Sequence, residues 1–233
     1  MEREPSRREL SRRESAHHES SCDTLQVWLD QLAEAAQADL EARNQARDEA
    51  LSKSRELIRL CSSAIRAGHR NVWDEANDLL TQAEAVGREM QARLEPFPDL
   101  FYAGYTQDAL KELVEARITL ALISDGALPA LDALNVPYNT YLNGVCEAAS
   151  ELRRRCLDVM RQGAMDEAER LLAAMDVVYE VLMSFSYPDA ITGGLRRRVD
   201  QLRGVLERTR GDLTNSAQMQ RLLRALEDAD ARI

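Results

Sequence analysis

Glycine, proline and aromatic residues are scarce in this sequence, and their scarcity argues against a protein built on β-sheets. The 233 residues include only 10 glycines and 6 prolines, and 5% of them are aromatic. No run of alternating valine, isoleucine, threonine and aromatic residues is long enough to predict a sheet. Alanine, leucine, glutamate and arginine dominate instead, and these residues favour helices. The composition therefore predicts an all-α protein with many solvated faces.

Long apolar runs and paired cysteines are also missing. No run approaches the roughly 18 to 20 apolar residues of a membrane span, so no membrane partner is expected. The N-terminus lacks the apolar segment of a secretory signal. The four cysteines, Cys22, Cys61, Cys146 and Cys156, are dispersed and form no CxxC pair. We expect free thiols in a reducing compartment, which predicts a cytoplasmic protein.

Several common functional signatures are absent. The sequence shows no Ser-His-Asp set, no glycine-rich phosphate loop and no zinc-ligand spacing. The formal net charge of −10 argues against a protein that coats nucleic acid over its whole surface. A local basic lining remains compatible with this charge, because binding follows the local field. His69 lies beside a helix end predicted at Gly68, where a cation favours the helix dipole, so a capping role is favoured over catalysis.

Apolar periodicity predicts a long first helix. Residues 1–20 are polar and of mixed charge and predict a disordered tail, with a single helical domain over residues 21–233. From about residue 23, apolar residues such as Leu25, Leu29 and Leu32 recur at three- and four-residue steps. The helix has about 45 residues and is roughly 65 Å long at 1.5 Å per residue. A helix of this length is expected to pack along a partner chain or along other long helices of its own.

Six further helices are predicted between helix-breaking residues. Asn71 is predicted to cap the second helix, which ends near Pro96. Pro129 and Pro137 bracket the connection before the fourth helix. The last two helices are predicted in "LRRRVDQLRGVLERTRGDL" and "NSAQMQRLLRALEDADA". Seven helices and no strands predict an elongated all-α bundle.

Two of these helices each carry a pair of glutamates on one face. Glu112 and Glu115 are three residues apart in "KELVEA", and Glu147 and Glu151 are four apart in "CEAASELRRR". If the two helices pack antiparallel, four carboxylates converge, and their mutual repulsion calls for a cation. Mg²⁺ or Mn²⁺ would meet that need, because hard cations prefer oxygen ligands. Glutamates at this spacing are also common on solvated helix faces, so spacing alone leaves both interpretations open.

Arginines and aromatic residues near these acids are candidates for contacts with phosphates and bases. Arginine triplets occur at residues 153–155 and 196–198. Three consecutive arginines fan over most of a helix circumference, so they cannot all face one ligand. Alternatively, these arginines lie on a solvated surface or form salt bridges between subunits. Phe101, Tyr102 and Tyr105 precede the third helix and could stack on unpaired bases or belong to a core or interface.

Four stretches, taken in order, resemble the translin family, which includes translin and translin-associated factor X. They are "SRELIRLCSSAIRAGHR", "FPDLFYAGYTQDALKELVEARITLAL", "VPYNTYLNGVCEAASELRRRCLDVMRQGAMDEAERLL" and "YPDAITGGLRRRVDQLRGVLERTRGDL". The similarity runs from about residue 40 to residue 213 and is greatest to archaeal-type members. It implies an all-α, seven-helix subunit. It also implies a closed homo-oligomer, typically an octamer, that encloses a cavity for single-stranded RNA or DNA.

The resemblance also implies a catalytic site. In the factor X branch, a metal-dependent ribonuclease site uses Glu-x-x-Glu before Ala, and Asp-x-x-x-Glu before Leu and basic residues. Glu112 and Glu115 match the first pattern, and Glu147 and Glu151 match the second. Glu147 stands where the pattern has aspartate, and its extra methylene changes the distance to a metal. Plain translin subunits lack most of these acids, so the chain is more similar to the catalytic branch.

One departure from the family concerns the nucleic-acid contacts. Translin carries a basic, histidine-containing segment ahead of the third helix, whereas this chain has "LFYAGYTQ". The candidates that would replace those contacts are Arg153, Arg154, Arg196, Arg197, Tyr102 and Tyr105.

The functional prediction is a Mg²⁺- or Mn²⁺-dependent endoribonuclease that cuts single-stranded RNA inside an oligomeric cage. Glu112, Glu115, Glu147 and Glu151 would ligate the metal, and one of them would act as general base. Two alternatives stay open at this point. One is a protein that binds single-stranded nucleic acid without turnover, and the other is a helical assembly with no affinity for nucleic acid.

Overall fold

Helices account for the secondary structure throughout the described part of the chain. A computed structural model describes the backbone of residues 7–230 and the side chains of residues 23–230. In order, the helices are α1 (Arg7–His69), α2 (Trp73–Leu94), α3 (Pro98–Phe101), α4 (Gly104–Ser124), α5 (Tyr138–Arg161), α6 (Met165–Met183), α7 (Asp189–Thr192) and α8 (Leu195–Asp230). No strand occurs within these described residues, which confirms the all-α prediction.

The helix boundaries differ from the predicted ones in four places. α1 begins at Arg7 and has 63 residues, whereas the predicted first helix begins at about residue 23. The predicted sixth and seventh helices, which were separated at Thr214, are one helix, α8, since no proline interrupts it. α3 and α7 are additional single turns of four residues, preceded or opened by a proline. The predicted N-cap at Asn71 is wrong. Val72 is the N-cap of α2 instead. Asn71 has a φ of 61°, since asparagine tolerates the left-handed conformation that follows a helix end.

The chain divides into two compact units, Met1–Asp48 and Glu49–Ile233. In the first unit, the apolar side chains of Leu25, Trp28 and Leu32 are exposed. α1 includes residues 7–20, for which a disordered tail was predicted, and the first six residues of that tail lie outside the described residues. The single domain predicted after the tail stays a prediction. Among the described helices, none combines the length and apolar character needed to cross a membrane.

The core of the second unit lies where α5 packs against α4, α6 and α8. α5 buries residues at three- and four-residue steps, including Ala149, Leu152 and Cys156. Leu171 of α6 and Leu202 of α8 are fully buried in the same cluster. Because one face of α5 is fixed in this core, the glutamates beside that face have defined positions.

Gly144 allows α4 and α5 to approach closely next to the glutamates. A Cβ atom on Gly144 would lie 2.7 Å from Cβ of Val114 and 2.8 Å from the carbonyl oxygen of Lys111. Neither atom is the end of a flexible side chain, so the helices themselves would have to move.

Replacing Gly144 by alanine is therefore expected to destabilise the protein by about 1 to 3 kcal/mol, as other overpacked cores are destabilised. Thermal unfolding should show a lower midpoint for Gly144→Ala. Gly211→Ala is the matched control, because nothing lies within 4 Å of a Cβ at Gly211 in α8. The control should unfold at the wild-type temperature or slightly above it. Equal midpoints for Gly144→Ala and the wild type would contradict the close packing of the two helices.

Candidate metal centre and nucleic-acid interface

Three glutamates from two helices meet where α4 packs against α5. Glu112 and Glu115 lie on α4, and Glu147 lies on α5. Each offers one carboxylate oxygen, and these three oxygens lie within 4.8 Å of one another. We call these residues the acidic triad. Carboxylate oxygens are the ligands that hard divalent cations take, so the triad could hold a metal ion.

The raised pKa of Glu115 shows that the positive charge near this carboxyl is too small to offset its burial and the neighbouring carboxylates. Burial raises the pKa of Glu115 to about 8, and the charges of Glu112, Glu147 and Glu151 add to the effect. The nearby ammonium of Lys111 offsets part of this rise. At neutral pH the carboxyl therefore carries a proton in the absence of further positive charge. Since a divalent ion supplies that charge, the residues present fit Mg²⁺ or Mn²⁺.

Two cationic side chains neutralise Glu147. Nζ of Lys111 donates to Oε2 of Glu147 at 2.5 Å and lies 3.1 Å from Oε1 of Glu112. Nε of Arg198 donates to Oε1 of Glu147 at 2.7 Å. The side chains of Lys111, Arg198 and Glu147 are 13%, 19% and 27% exposed. Burial alone would lower the pKa of Lys111, but the hydrogen bond and charge of Glu147 and the charge of Glu112 outweigh it and raise that pKa.

Arg198 is also anchored by neutral groups. Its Nη1 donates to Oδ1 of Asn143 and to the carbonyl oxygen of Gly193, both at 3.0 Å. Asn143 is buried and in turn donates to the carbonyl oxygen of Thr192 at 2.7 Å. These bonds fix the start of α8 against α5 and hold the guanidinium beside Glu147.

Glu151 is held by a histidine and does not join the acidic triad. Nε2 of His69 lies 2.7 Å from Oε1 of Glu151, and the His69 side chain is 1% exposed. His69 is the last residue of α1, as the predicted capping role requires. That prediction did not include the contact of its ring with the carboxylate of Glu151. Nδ1 of His69 is buried without a partner among the described residues. Glu151 remains close enough for its charge to raise the pKa of Glu115.

The predicted nucleic-acid contacts occupy different environments. Arg153 is committed inside the subunit, where its Nη2 lies 2.8 Å from Oδ2 of Asp212 and its Nη1 donates to Oγ1 of Thr209 at 3.1 Å. Arg154 is exposed and, with Glu151, lines an open groove of about 470 Å³. The groove therefore places an exposed arginine beside Glu151.

The second arginine triplet divides as its helical spacing requires. Arg196 and Arg197 are exposed on α8, whereas Arg198 points to Glu147. Tyr102 is 66% exposed and meets Phe101 edge to face, with ring centroids 5.0 Å apart. The hydroxyl of Tyr105 is buried without a partner in the described part of the chain. Of the three predicted stacking residues, Tyr102 is thus the most exposed.

The buried cysteines agree with the prediction of free thiols. Cys61, Cys146 and Cys156 are unpaired and buried. Burial, with the charge of Glu147, raises the pKa of Cys146 to about 12. Burial and the charges of the two α4 glutamates also raise the pKa of Cys61. These thiols stay protonated and unreactive at neutral pH. The side chain of Cys22 lies outside the described residues.

Comparisons with known proteins give one sequence relative and several solved structures. No protein-family model matches the sequence. An uncharacterized protein of Methanocaldococcus jannaschii is 32% identical over 178 residues, which cover 76% of this chain and 78% of that protein.

Three of the solved structures are C3PO proteins. AfC3PO in complex with duplex RNA is 34% identical, with a TM-score of 0.75, over 81% of this chain and 97% of that chain. A crystal structure of AfC3PO gives 33% identity and a TM-score of 0.74, over 81% and 98%. At 20% identity, apo-NeC3PO supports the fold alone, with a TM-score of 0.70 over 81% and 96%. C3PO proteins are translin-like helical proteins, and the resemblance found in the sequence is thereby confirmed: the chain belongs to the translin family.

Proposed function

We propose that this protein binds RNA and cleaves it as a Mg²⁺- or Mn²⁺-dependent endoribonuclease. The observation that carries the proposal is the convergence of Glu112, Glu115 and Glu147 within 4.8 Å. RNA as the substrate is supported by AfC3PO, which was solved with duplex RNA and is 34% identical to this chain. The proposed active form is a closed homo-oligomer, as the family resemblance implies.

Each acidic residue has a proposed role. Glu112, Glu115 and Glu147 would hold the metal. A bound metal polarises a phosphoryl oxygen and lowers the pKa of water. Glu151 lies outside the triad and is oriented by His69, 2.7 Å away, so it is the carboxylate available to accept a proton from the attacking water. The prediction that all four glutamates ligate the metal is thus narrowed to three ligands and one candidate base.

The proposed RNA contacts come from α5, from α8 and from the residue that follows α3. Arg154 lines the groove that contains Glu151 and would hold phosphate. Arg196 and Arg197 are further exposed cations, and the ring of Tyr102 would stack on an unpaired base. Arg153 would act indirectly, since its ion pair with Asp212 fixes α5 against α8.

A second candidate function is RNA binding without turnover. It is favoured by the two cations already bound to Glu147, because Lys111 and Arg198 satisfy a carboxylate that a metal would otherwise use. The two candidates differ in their need for metal. A binding protein holds RNA in EDTA and never cuts it, whereas the nuclease requires the ion.

The deciding experiment is cleavage of labelled RNA, single-stranded and duplex, with Mg²⁺, Mn²⁺ or EDTA. Cleavage should need metal, and Glu112→Gln and Glu115→Gln should each slow it on the order of 10² to 10³-fold, as loss of a charge-stabilising group does. Glu84→Gln is the control, because Glu84 pairs with Arg88 and Arg117 outside the triad. Light scattering of each variant reports whether the oligomer is intact.

Three results would change the assignment. Tight RNA binding without cleavage in any metal would leave the binding protein. Cleavage that survives both triad substitutions would place the nuclease elsewhere or in a contaminant. Metal-dependent cleavage of duplex RNA alone would replace the single-stranded substrate predicted from the sequence.

A further inference from the structure

Lysine is almost absent from this protein, yet one lysine lies against the acidic triad. Of the 30 lysines and arginines, two are lysines, Lys53 and Lys111. Lys53 pairs with the exposed Glu89 at the surface. Lys111 bridges Glu112 and Glu147 with its ammonium group and is 13% exposed. The ammonium of Lys111 therefore occupies carboxylates that a metal would also need.

The local charge balance opposes a further cation. Glu112 and Glu147 carry two negative charges, and Lys111 and Arg198 carry two positive charges against them. A divalent ion that joined this group would be repelled by both cations at short range, where partial burial limits screening by solvent. Metal binding is therefore easier if one of the two cations leaves.

Lys111 is the cation that can leave. Arg198 is tied to Asn143 and to the carbonyl oxygen of Gly193 as well as to Glu147. Within the described residues, the bonds of the Lys111 ammonium run to the two carboxylates. A lysine ammonium is a compact charge that water hydrates strongly, and its flexible four-carbon stem can move it, whereas a guanidinium holds a carboxylate with a rigid fork of donors.

We propose that Lys111 is an internal competitor of the metal: its ammonium neutralises Glu112 and Glu147 in the metal-free protein and withdraws when a divalent cation binds. The inference rests on the proposed function at one point, namely that the acidic triad holds the metal. Lys111 is then the residue that sets the metal affinity. Its positive charge also reduces the repulsion among the four glutamates before the metal binds.

The first test uses the fact that the protein has two lysines. The full chain labelled with ¹³Cε-lysine should give two lysine signals, which Lys53→Met and Lys111→Met assign. Addition of Mg²⁺ should shift the Lys111 signal towards that of a solvated lysine and leave the Lys53 signal in place. A Lys111 signal that does not move when Mg²⁺ saturates the site would overturn the inference.

The second test is metal affinity, measured by calorimetry with Mn²⁺ on the apo protein. Lys111→Met should bind Mn²⁺ about tenfold more tightly than the wild type, because one competing charge is gone. Lys111→Arg should bind no more tightly than the wild type, since the charge remains. Lys53→Met is the matched control and should not change the affinity.

The outcomes separate this inference from the proposed function. Equal or weaker Mn²⁺ binding by Lys111→Met overturns the inference, and metal-dependent cleavage that is lost in Glu115→Gln would still support the nuclease. Stronger binding by Lys111→Met, with no cleavage by any form of the protein, supports the inference and removes the nuclease. Absence of Mn²⁺ binding in both the wild type and Lys111→Met overturns the inference together with the proposed metal site.

Discussion

Glu115→Gln is expected to make the metal-free protein more stable at pH 8 and above, by about 2 to 4 kcal/mol, and to leave its stability near pH 4 unchanged. The native pKa of this carboxyl is raised from 4.5 to about 8, chiefly by burial and then by neighbouring carboxylates. Each unit of such a shift corresponds to about 1.4 kcal/mol, and water entry into a partly buried site reduces the sum. Glutamine cannot ionise, so it avoids this cost.

The direction of the pH dependence follows from where the proton is bound. Between pH 4.5 and 8 the unfolded chain has lost the Glu115 proton and the native state retains it, so native stability falls as the pH rises through this window. Below pH 4.5 Glu115 is protonated in both the native and the unfolded state, so the wild type and Glu115→Gln are both uncharged at this position. The difference between variant and wild type should therefore grow from about pH 4.5 and level off above about pH 8.

Urea unfolding of the apo protein from pH 4 to pH 9 measures this difference. Glu207→Gln serves as the control, because the Glu207 side chain is 61% exposed in its pair with Arg210. Its stability curve should stay parallel to that of the wild type. A Glu115→Gln curve that also runs parallel would show that Glu115 is ionised in the native state. Together with the expected loss of cleavage, a gain in stability would mean that this acid is retained for function at a cost to the fold.

Much of the fold could be predicted from the sequence because helix periodicity and helix breakers are local signals. The repeat of Leu25, Leu29 and Leu32 lies on α1, and the segments that carry the glutamate pairs are α4 and α5. The error in α8 also has a local cause. The prediction ends one helix at Leu213 and starts the next at Asn215, but a solvated helix accepts polar residues such as Thr214, and α8 contains no proline to end it.

The triad was within reach of sequence reasoning, whereas its partners were not. The spacing of Glu112 and Glu115 fixes their common face, and α5 brings Glu147 to it. The helices run parallel, however, and not antiparallel as predicted, because Thr140 contacts Gln107 near the start of both helices and Glu147 contacts Lys111 further along both. His69 is 82 residues from Glu151, and no local pattern pairs them. Lys111 and Arg198 left fainter signals: a rare lysine directly before Glu112, and a triplet of arginines that must direct one member inward.

Glu147→Gln is expected to destabilise the protein by about 2 to 4 kcal/mol, the reverse of the effect at Glu115. Glu147 accepts bonds from Lys111 at 2.5 Å and from Arg198 at 2.7 Å, and all three side chains are less than a third exposed. The amide keeps the shape of the side chain but removes the charge, and it sets its own donors against two cationic donors. Removal of one partner from a buried ion pair is costly because the other charge stays buried.

The matched control is Glu89→Gln, which breaks the pair formed by the other lysine. Nζ of Lys53 lies 2.5 Å from Oε2 of Glu89, the same distance as in the Lys111–Glu147 pair, but Glu89 is 64% exposed. Thermal unfolding of both variants at low and high salt should show a lower midpoint for Glu147→Gln at each salt concentration and little change for Glu89→Gln. Adding Lys111→Met to Glu147→Gln should recover part of the lost stability, since it removes one of the two stranded charges. Similar midpoints for the two single variants would mean that solvent screens the Lys111–Glu147 pair as strongly as the surface pair Lys53–Glu89. The ion pair of Lys111 would then contribute too little energy for Lys111 to compete with a metal.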